Sequence, residues 1–146
     1  CNMVEYHANT QASAEAIDKQ GWLHTGDLGT MDSRGYVRVT GRVKEMIIRG
    51  GENMFPAAIE NVLLEHPSVL EAAAVGLPDD KWGESVHAAV ELSKTADCDE
   101  ATLITFVKSR LDSVKAPKRI HISDRLPRSS VGKILRREAK IKYANS

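Results

Sequence analysis

At 146 residues the chain is one ordinary domain, or a smaller domain with an appendage, long enough to bury a core without staples. Its 42% apolar and 27% charged residues exclude a disordered chain, and no apolar run approaches the ~20 residues of a membrane span. The formal net charge is +0, yet residues 108–146 hold 12 of the 20 Lys and Arg and only 3 of the 20 Asp and Glu. A basic C-terminal third implies either an anionic partner (a nucleotide, coenzyme A or nucleic acid) or a solvated helix and contacts with an acidic surface.

No signal peptide opens the chain, and a first residue that is Cys reads as a fragment or a processed product. Cys1 and Cys98 match no disulfide framework or metal pattern, which favours a reducing, cytoplasmic setting. Histidines 7, 24, 66, 87 and 121 lie too far apart for local ligand pairs, so no metal site is expected.

In chain order, residues 1–20 read as a polar lead-in with a short helix around ASAEAID, capped by Ser13. Asp27, in HTGD, follows a predicted strand and precedes a turn. GYVRVTGR sets Val37 and Val39 against Tyr36, Arg38 and Thr40, a half-buried strand after the DSRG turn. EMIIR is a second short strand, ended by Gly50-Gly51. Pro56 opens a helix with Ile59, Val62 and Leu63 as its apolar stripe, and Pro67 closes it. VLEAAAVGL and SVHAAVEL are strands joined by the loop PDDKWGE. An amphipathic helix over 99–111 presents Leu103, Phe106, Val107 and Leu111. KAPK is a loop, RIHIS a strand and KILRREAKIKYA a basic closing helix. Two neighbouring strands able to pair as a hairpin predict an α+β fold, a small mostly antiparallel sheet flanked by helices.

Four places invite chemistry. LPRSSVGKILRRE resembles a phosphate-binding loop but fails its spacing, because Pro127 and Ile134 occupy the positions of the first Gly and the Ser or Thr. There Gly132 permits a positive φ, Ser129 and Ser130 supply small polar contacts, and the loop presents Lys133 ahead of a helix. Local physics leaves two readings open, charge delivery to a phosphate or carboxylate, and an exposed lysine near a helix start. Asp27 suits a pair of ribose hydroxyls or a plain turn. Gly50-Gly51 brings the backbone close to a ligand or makes a tight turn. Trp82 stacks on an adenine or closes a core edge.

Taken together, GWLHTGDLG, GYVRVTGRVKEMIIRGGENMFPAAIE, VGLPDDKWGE and LPRSSVGKILRRE resemble, in order, the C-terminal signature motifs of the adenylate-forming (AMP-binding) superfamily. That superfamily includes acyl- and aryl-CoA synthetases, peptide-synthetase adenylation domains and firefly luciferase, and the chain is most similar to an acyl-CoA synthetase of the kind found in fatty acid metabolism. The resemblance implies that residues 1–43 are the tail of a large N-terminal AMP-binding domain and residues 44–146 a small mobile C-terminal domain, the large domain being absent. It implies a ligase that joins a small-molecule carboxylic acid to ATP, releasing pyrophosphate, and then passes the acyl group to a thiol, releasing AMP. ATP (with Mg2+ held mainly by the absent domain) and coenzyme A are the implied cofactors. By matching motif, Lys133 serves the α-phosphate and the carboxylate, Asp27 and Arg42 the ribose, and Lys44 the hinge. Gly50, Gly51, Glu52 and Trp82 would line the coenzyme A tunnel; some relatives carry a basic residue where Ala116 stands, with Lys115 and Lys118 beside it. The fragment alone is expected to be inactive.

Two other readings stand beside this one. A peptide-synthetase-type adenylation domain would load a carrier-protein thiol. A nucleic-acid module would use the basic tail, but residues 108–142 lack Phe, Trp and Tyr for stacking, and no nucleic-acid motif is present, so no nucleic-acid partner is expected.

Overall fold

The computed structural model describes residues 3–144. The chain divides between Lys44 and Glu45 into two compact units. Among the described residues no helix is long and apolar enough to cross a membrane.

The first unit holds helix α1 (Thr10–Ala16) and a two-stranded antiparallel sheet of β1 (Asp27–Met31) and β2 (Val37–Arg42). Asn9, not Ser13, caps α1, its side-chain oxygen accepting the Ala12 N–H at 3.0 Å. Ser13 instead accepts the Tyr6 N–H at 2.9 Å from inside the helix. Asp27 opens a strand where a turn was expected, because Gly26 (φ +76°) makes its turn one residue earlier. The expected half-buried face of β2 is open: Val37 and Val39 are 68% and 64% exposed.

A 3-10 turn over Val43–Glu45 crosses the boundary, and the second unit opens with β3 (Ile47–Arg49), paired antiparallel with β4 (Glu52–Met54). The sequence reading missed β4, since the pair Gly50-Gly51 does not end the strand but reverses it. Both glycines have positive φ (+58° and +86°), the two-residue turn that matches strand twist. Pro56 starts α2 (Pro56–Leu64) as expected, with Ile59, Val62 and Leu63 buried. Then β5 (Val69–Asp79) and β6 (Gly83–Leu92) form a long hairpin paired to the Asp79–Gly83 rung, so most of the expected PDDKWGE loop is strand. Helix α3 (Glu100–Arg110), capped by Asp99, is the crossover that a parallel pairing requires, and β7 (Arg119–Ile122) lies parallel to β6. The closing helix, α4 (Arg136–Tyr143), begins three residues later than expected, after Lys133.

The sheet is covered on both faces, which explains the unbroken apolar run 72–77. Ala72 and Ala74 face the core of α2 and α3 (Ile59, Leu63, Leu103, Val107); Ala73, Val75 and Leu77 face Leu126, Ala139 and Tyr143. An added methyl on Gly76 would stand 2.9 Å from the Glu84 carboxylate. That carboxylate accepts the Ile48 N–H at 2.9 Å and the Lys140 ammonium at 3.1 Å, joining β3 and α4 to the hairpin.

Parallel pairing also brings together two histidines far apart in sequence. His87 and His121 stack at 5.6 Å with ring nitrogens 3.3 Å apart, and Tyr143 stacks on His121 at 4.4 Å. Burial depresses both imidazoles' affinity for a proton; at His87 the charges of His121, Lys118 and Arg119 reinforce it against Asp79, and at His121 Arg119 reinforces it against Glu100. A depressed histidine pKa means the unfolded chain binds the proton first, so this contribution is intact above about pH 6.5 and fades as pH falls below it. Denaturant titrations at pH 7.5 and pH 5.5 therefore show a loss of stability in the native chain that shrinks in His87→Gln/His121→Gln.

Candidate functional site

In the first unit the β1–β2 register sets Asp27 opposite Arg42, and their side chains form an ion pair at 2.8 Å. Two residues from separate motifs thus meet, leaving a carboxylate fixed in direction and still partly exposed. It retains acceptor capacity for a pair of hydroxyls.

In the second unit the Gly50-Gly51 turn and the β5–β6 turn lie side by side. The Gly50 N–H donates to the Trp82 carbonyl at 2.8 Å, and a Cβ on Gly50 would lie 2.9 Å from the indole. Trp82 is 43% exposed, with the Lys81 ammonium 4.9 Å and the Arg49 guanidinium 5.8 Å from its rings. Asp79 builds this turn by accepting the Lys81 and Trp82 N–H groups, both at 3.1 Å. The Lys118 ammonium, then those N–H groups, hold the Asp79 carboxyl below the usual range. An aspartate followed at two and three residues by the N–H groups it accepts is a common turn signal, and it was readable in DDKW. Arg49 also donates to the Val114 carbonyl, tying in the segment before KAPK.

The lysines of that segment are not free. Lys118 pairs with Asp79 at 2.9 Å and Lys115 with Asp112 at 2.8 Å. Ala116 is buried in the core. Glu52 lies in β4 directly after the glycines and is exposed.

Lys133 sits at the far end of the hairpin, in a small closed loop and not at a helix N-terminus. Arg128 and Ile134 bridge its base, the Ser129 N–H donates to the Lys133 carbonyl at 2.8 Å, and the Lys133 N–H donates to the Ser129 hydroxyl at 3.1 Å. Gly132 has the expected positive φ (+84°). Arg128 anchors the loop to the strand ends Glu91 (3.1 Å) and Glu71 (3.3 Å). Burial works to raise the Glu91 carboxyl, but the Leu126 N–H and Arg128 outweigh it and keep it low. On the other side Arg136 grips buried Glu60 through two nitrogens at 2.8 and 2.6 Å and reaches Glu45 at 3.0 Å. A cavity of about 370 Å³ opens between Lys133, Arg128, Arg136, Glu60 and Glu71. These anchors went unread because no local spacing joins residues 45, 60, 71 and 136.

The two clusters lie at opposite ends of one rigid hairpin. Eight residues separate Glu71 from Asp79, about 26 Å at ~3.3 Å per residue. The basic C-terminal third is largely neutralised within the unit: Arg110, Lys118, Arg119, Arg128, Arg136 and Lys140 pair with Glu65, Asp79, Glu100, Glu91, Glu60 and Glu84. Among the described residues no group of three or more His, Cys, Asp or Glu is placed to hold a metal ion.

The profile of the family described as AMP-binding enzyme C-terminal domain matches residues 58–133. A fatty acid–[acyl-carrier-protein] ligase of Streptomyces coeruleorubidus is 45% identical over 97% of this chain and 27% of its own length. A 2-succinylbenzoate–CoA ligase of Geobacillus kaustophilus is 44% identical over 92% of this chain and 27% of its own length. The ATP-bound crystal structure of MatB from Rhodopseudomonas palustris matches with a TM-score of 0.91 at 34% identity, over 97% of this chain and 28% of that one. The chain thus spans about a quarter of the length of the curated relatives it matches.

The contact of Gly50 with Trp82 is open to a direct test in a Trp22→Phe background, where Trp82 is the remaining tryptophan. Gly50→Ala adds a methyl against the indole, shifts its fluorescence and lowers unfolding free energy by about 1–3 kcal/mol. Gly51→Ala, with open space at its Cβ position, costs only the backbone strain and leaves the emission unchanged.

Proposed function

The chain belongs to the AMP-binding enzyme C-terminal domain family, and from that premise we propose that it works as the C-terminal part of an ATP-dependent acid–thiol ligase whose large N-terminal domain lies outside this sequence. In the first step a carboxylate oxygen attacks the α-phosphorus of ATP, the bond to the β-phosphate bridge breaks, and pyrophosphate leaves. In the second a thiol sulfur attacks the acyl carbon, the bond to AMP breaks, and the thiol proton is lost. The observation that carries this reading is the placement of Lys133 and Trp82 at opposite ends of one hairpin.

Lys133 is the adenylation residue. Its ammonium, on a flexible stem at a loop held from both sides, is a compact charge for an α-phosphate and carboxylate that meet as like charges. Asp27, steered by Arg42, accepts the ribose hydroxyls of the nucleotide. Trp82, with Arg49 and Lys81 at its rings, offers an aromatic and cationic surface to coenzyme A, and Gly50, Gly51 and Glu52 lead its thiol arm inward. A single rigid body cannot bring both ends to one acyl carbon at once, so the unit pivots between steps. The pivot is Lys44, at the boundary between residues 1–43, the tail of the large domain, and the small domain. ATP and coenzyme A bind fully only with the large domain, which also holds Mg2+, and the carboxylic acid is chosen there. The enzyme acts in the cytoplasm.

One observation favours a second thiol source. Lys115 and Lys118 are already paired with Asp112 and Asp79, which leaves fewer free cations for the coenzyme A phosphates. A carrier-protein thiol needs fewer, and a relative 45% identical is named as an acyl-carrier-protein ligase. The internal pairing of the basic third leaves a nucleic-acid reading without its electrostatic footprint.

In the full-length enzyme, Lys133→Ala slows adenylate formation roughly 10²–10³-fold, about 3–4 kcal/mol, the scale of one lost transition-state donor. Thioester formation from supplied acyl-adenylate falls much less. Single-turnover assay of each half-reaction separates these outcomes; equal losses in both, or an intact first step, contradict the assignment. Carboxylate-dependent pyrophosphate release by the isolated chain contradicts its expected inactivity.

A further inference from the structure

Among the described residues the Lys133 ammonium has no hydrogen-bond or ion-pair partner, so its aim is set by the frame of its loop. That frame is held at two points. Arg128 fastens it to the hairpin ends. Arg136, three residues beyond Lys133, fastens it elsewhere, and its three nitrogens are divided unequally: Nε and one terminal nitrogen go to Glu60, and the other goes to Glu45. Glu60 cannot turn away, because Oε1 also accepts the Ala74 N–H at 2.9 Å in the buried face of α2. Glu45 is the first residue of the second unit, one peptide beyond Lys44.

We infer that Arg136 is a positioning residue for Lys133, and that Glu45 and Glu60 hold it in a relay that ties the adenylation loop directly to the start of the mobile unit. The inference rests on the proposed roles of Lys133 and Lys44. Without the relay, a rotation at Lys44 reaches Lys133 less directly, through β3, its single rung with β6 and its Glu84 link to α4, and the length of the sheet. With it, the residue next to the pivot is one side chain from the helix that begins beside the loop. A bidentate guanidinium suits this task because its fork fixes direction as well as distance, and a lysine at the same place would not.

The gentlest test breaks the outer link. The Glu45–Arg136 pair is about one-third exposed on each side, so Glu45→Gln leaves the buried Glu60–Arg136 pair and the fold in place. In the full-length enzyme the relay predicts roughly tenfold slower adenylate formation, with thioester formation from supplied adenylate nearly unchanged. In a Lys133→Ala background, Glu45→Gln has almost no further effect, because it acts through the missing ammonium. Arg136→Lys behaves like Glu45→Gln and more strongly. Independent, multiplying losses in the double variant, parallel losses in both half-reactions, or no loss with Glu45→Gln overturn the relay. If Lys133→Ala alone spares the first step, the proposed function fails and the relay loses its catalytic role. Amide hydrogen exchange over residues 129–133 of the chain separates the two failures, since it does not depend on activity. Glu45→Gln speeds that exchange if the relay holds the loop, and unchanged exchange overturns the relay even where Lys133→Ala behaves as predicted.

Discussion

Strands β5 and β6 run antiparallel through ten rungs, and residues 72–77 are buried on both faces. That hairpin is the constraint from which the rest of the second unit follows. Double burial demands small or branched apolar residues in sequence, supplied by Ala72, Ala73, Ala74 and Val75 facing Val90, Ala89, Ala88 and His87. Alanines keep the helices close on each side, and a bare Gly76 leaves room for Glu84 to reach β3 and α4. The length that makes the hairpin a good core also makes it a spacer. Its turn carries Trp82, its open end carries Arg128 and the Lys133 loop, and no side-chain movement spans the interval between them. Under the proposed function, alternation between two steps by moving the whole unit would be the mechanical answer to that length.

Electrostatics ties the same unit together. Much of the excess of cations after residue 108 answers carboxylates that precede it, strand end to loop and helix to helix. Exposed pairs of this kind contribute little stability individually. The Arg136–Glu60 pair differs, because Glu60 is buried and every bond it makes is directional. Removing one partner there would strand a charge in the core, a cost of about 3–5 kcal/mol. Lys133, like Lys108 and Arg137, has no ion-pair partner among the described residues, and the proposed function gives its charge to a ligand.

How much of this was legible in the sequence depended on the range of the interaction. Helix α2 was readable because Pro56 at its first position and the spacing of Ile59, Val62 and Leu63 are local signals. The β5–β6 hairpin was readable from two adjacent apolar runs. The start of α4 was not, because helix propensity in KILRRE favours an early start while the Arg128–Ile134 bridge and the Leu135-to-Pro127 hydrogen bond hold the chain extended. Strand β4 was hidden because two glycines signal a stop as readily as a reversal. The motif residues Asp27, Arg42 and Lys133 were visible by resemblance, whereas Glu45, Glu60, Asp79 and Arg136 take their meaning from contacts up to 91 residues apart.

The claim that one mobile unit serves two half-reactions by turning at Lys44 is tested most directly by fixing that residue's backbone. Lys44→Pro locks φ near −65° and favours one arrangement of the two units over the other. Single-turnover rates for each half-reaction of the full-length enzyme, with thermal stability measured alongside, give the answer. The account predicts adenylate formation within about tenfold of the native rate, roughly 1.4 kcal/mol, and far slower thioester formation. Parallel losses in both steps, or none in either, would contradict a pivot at Lys44.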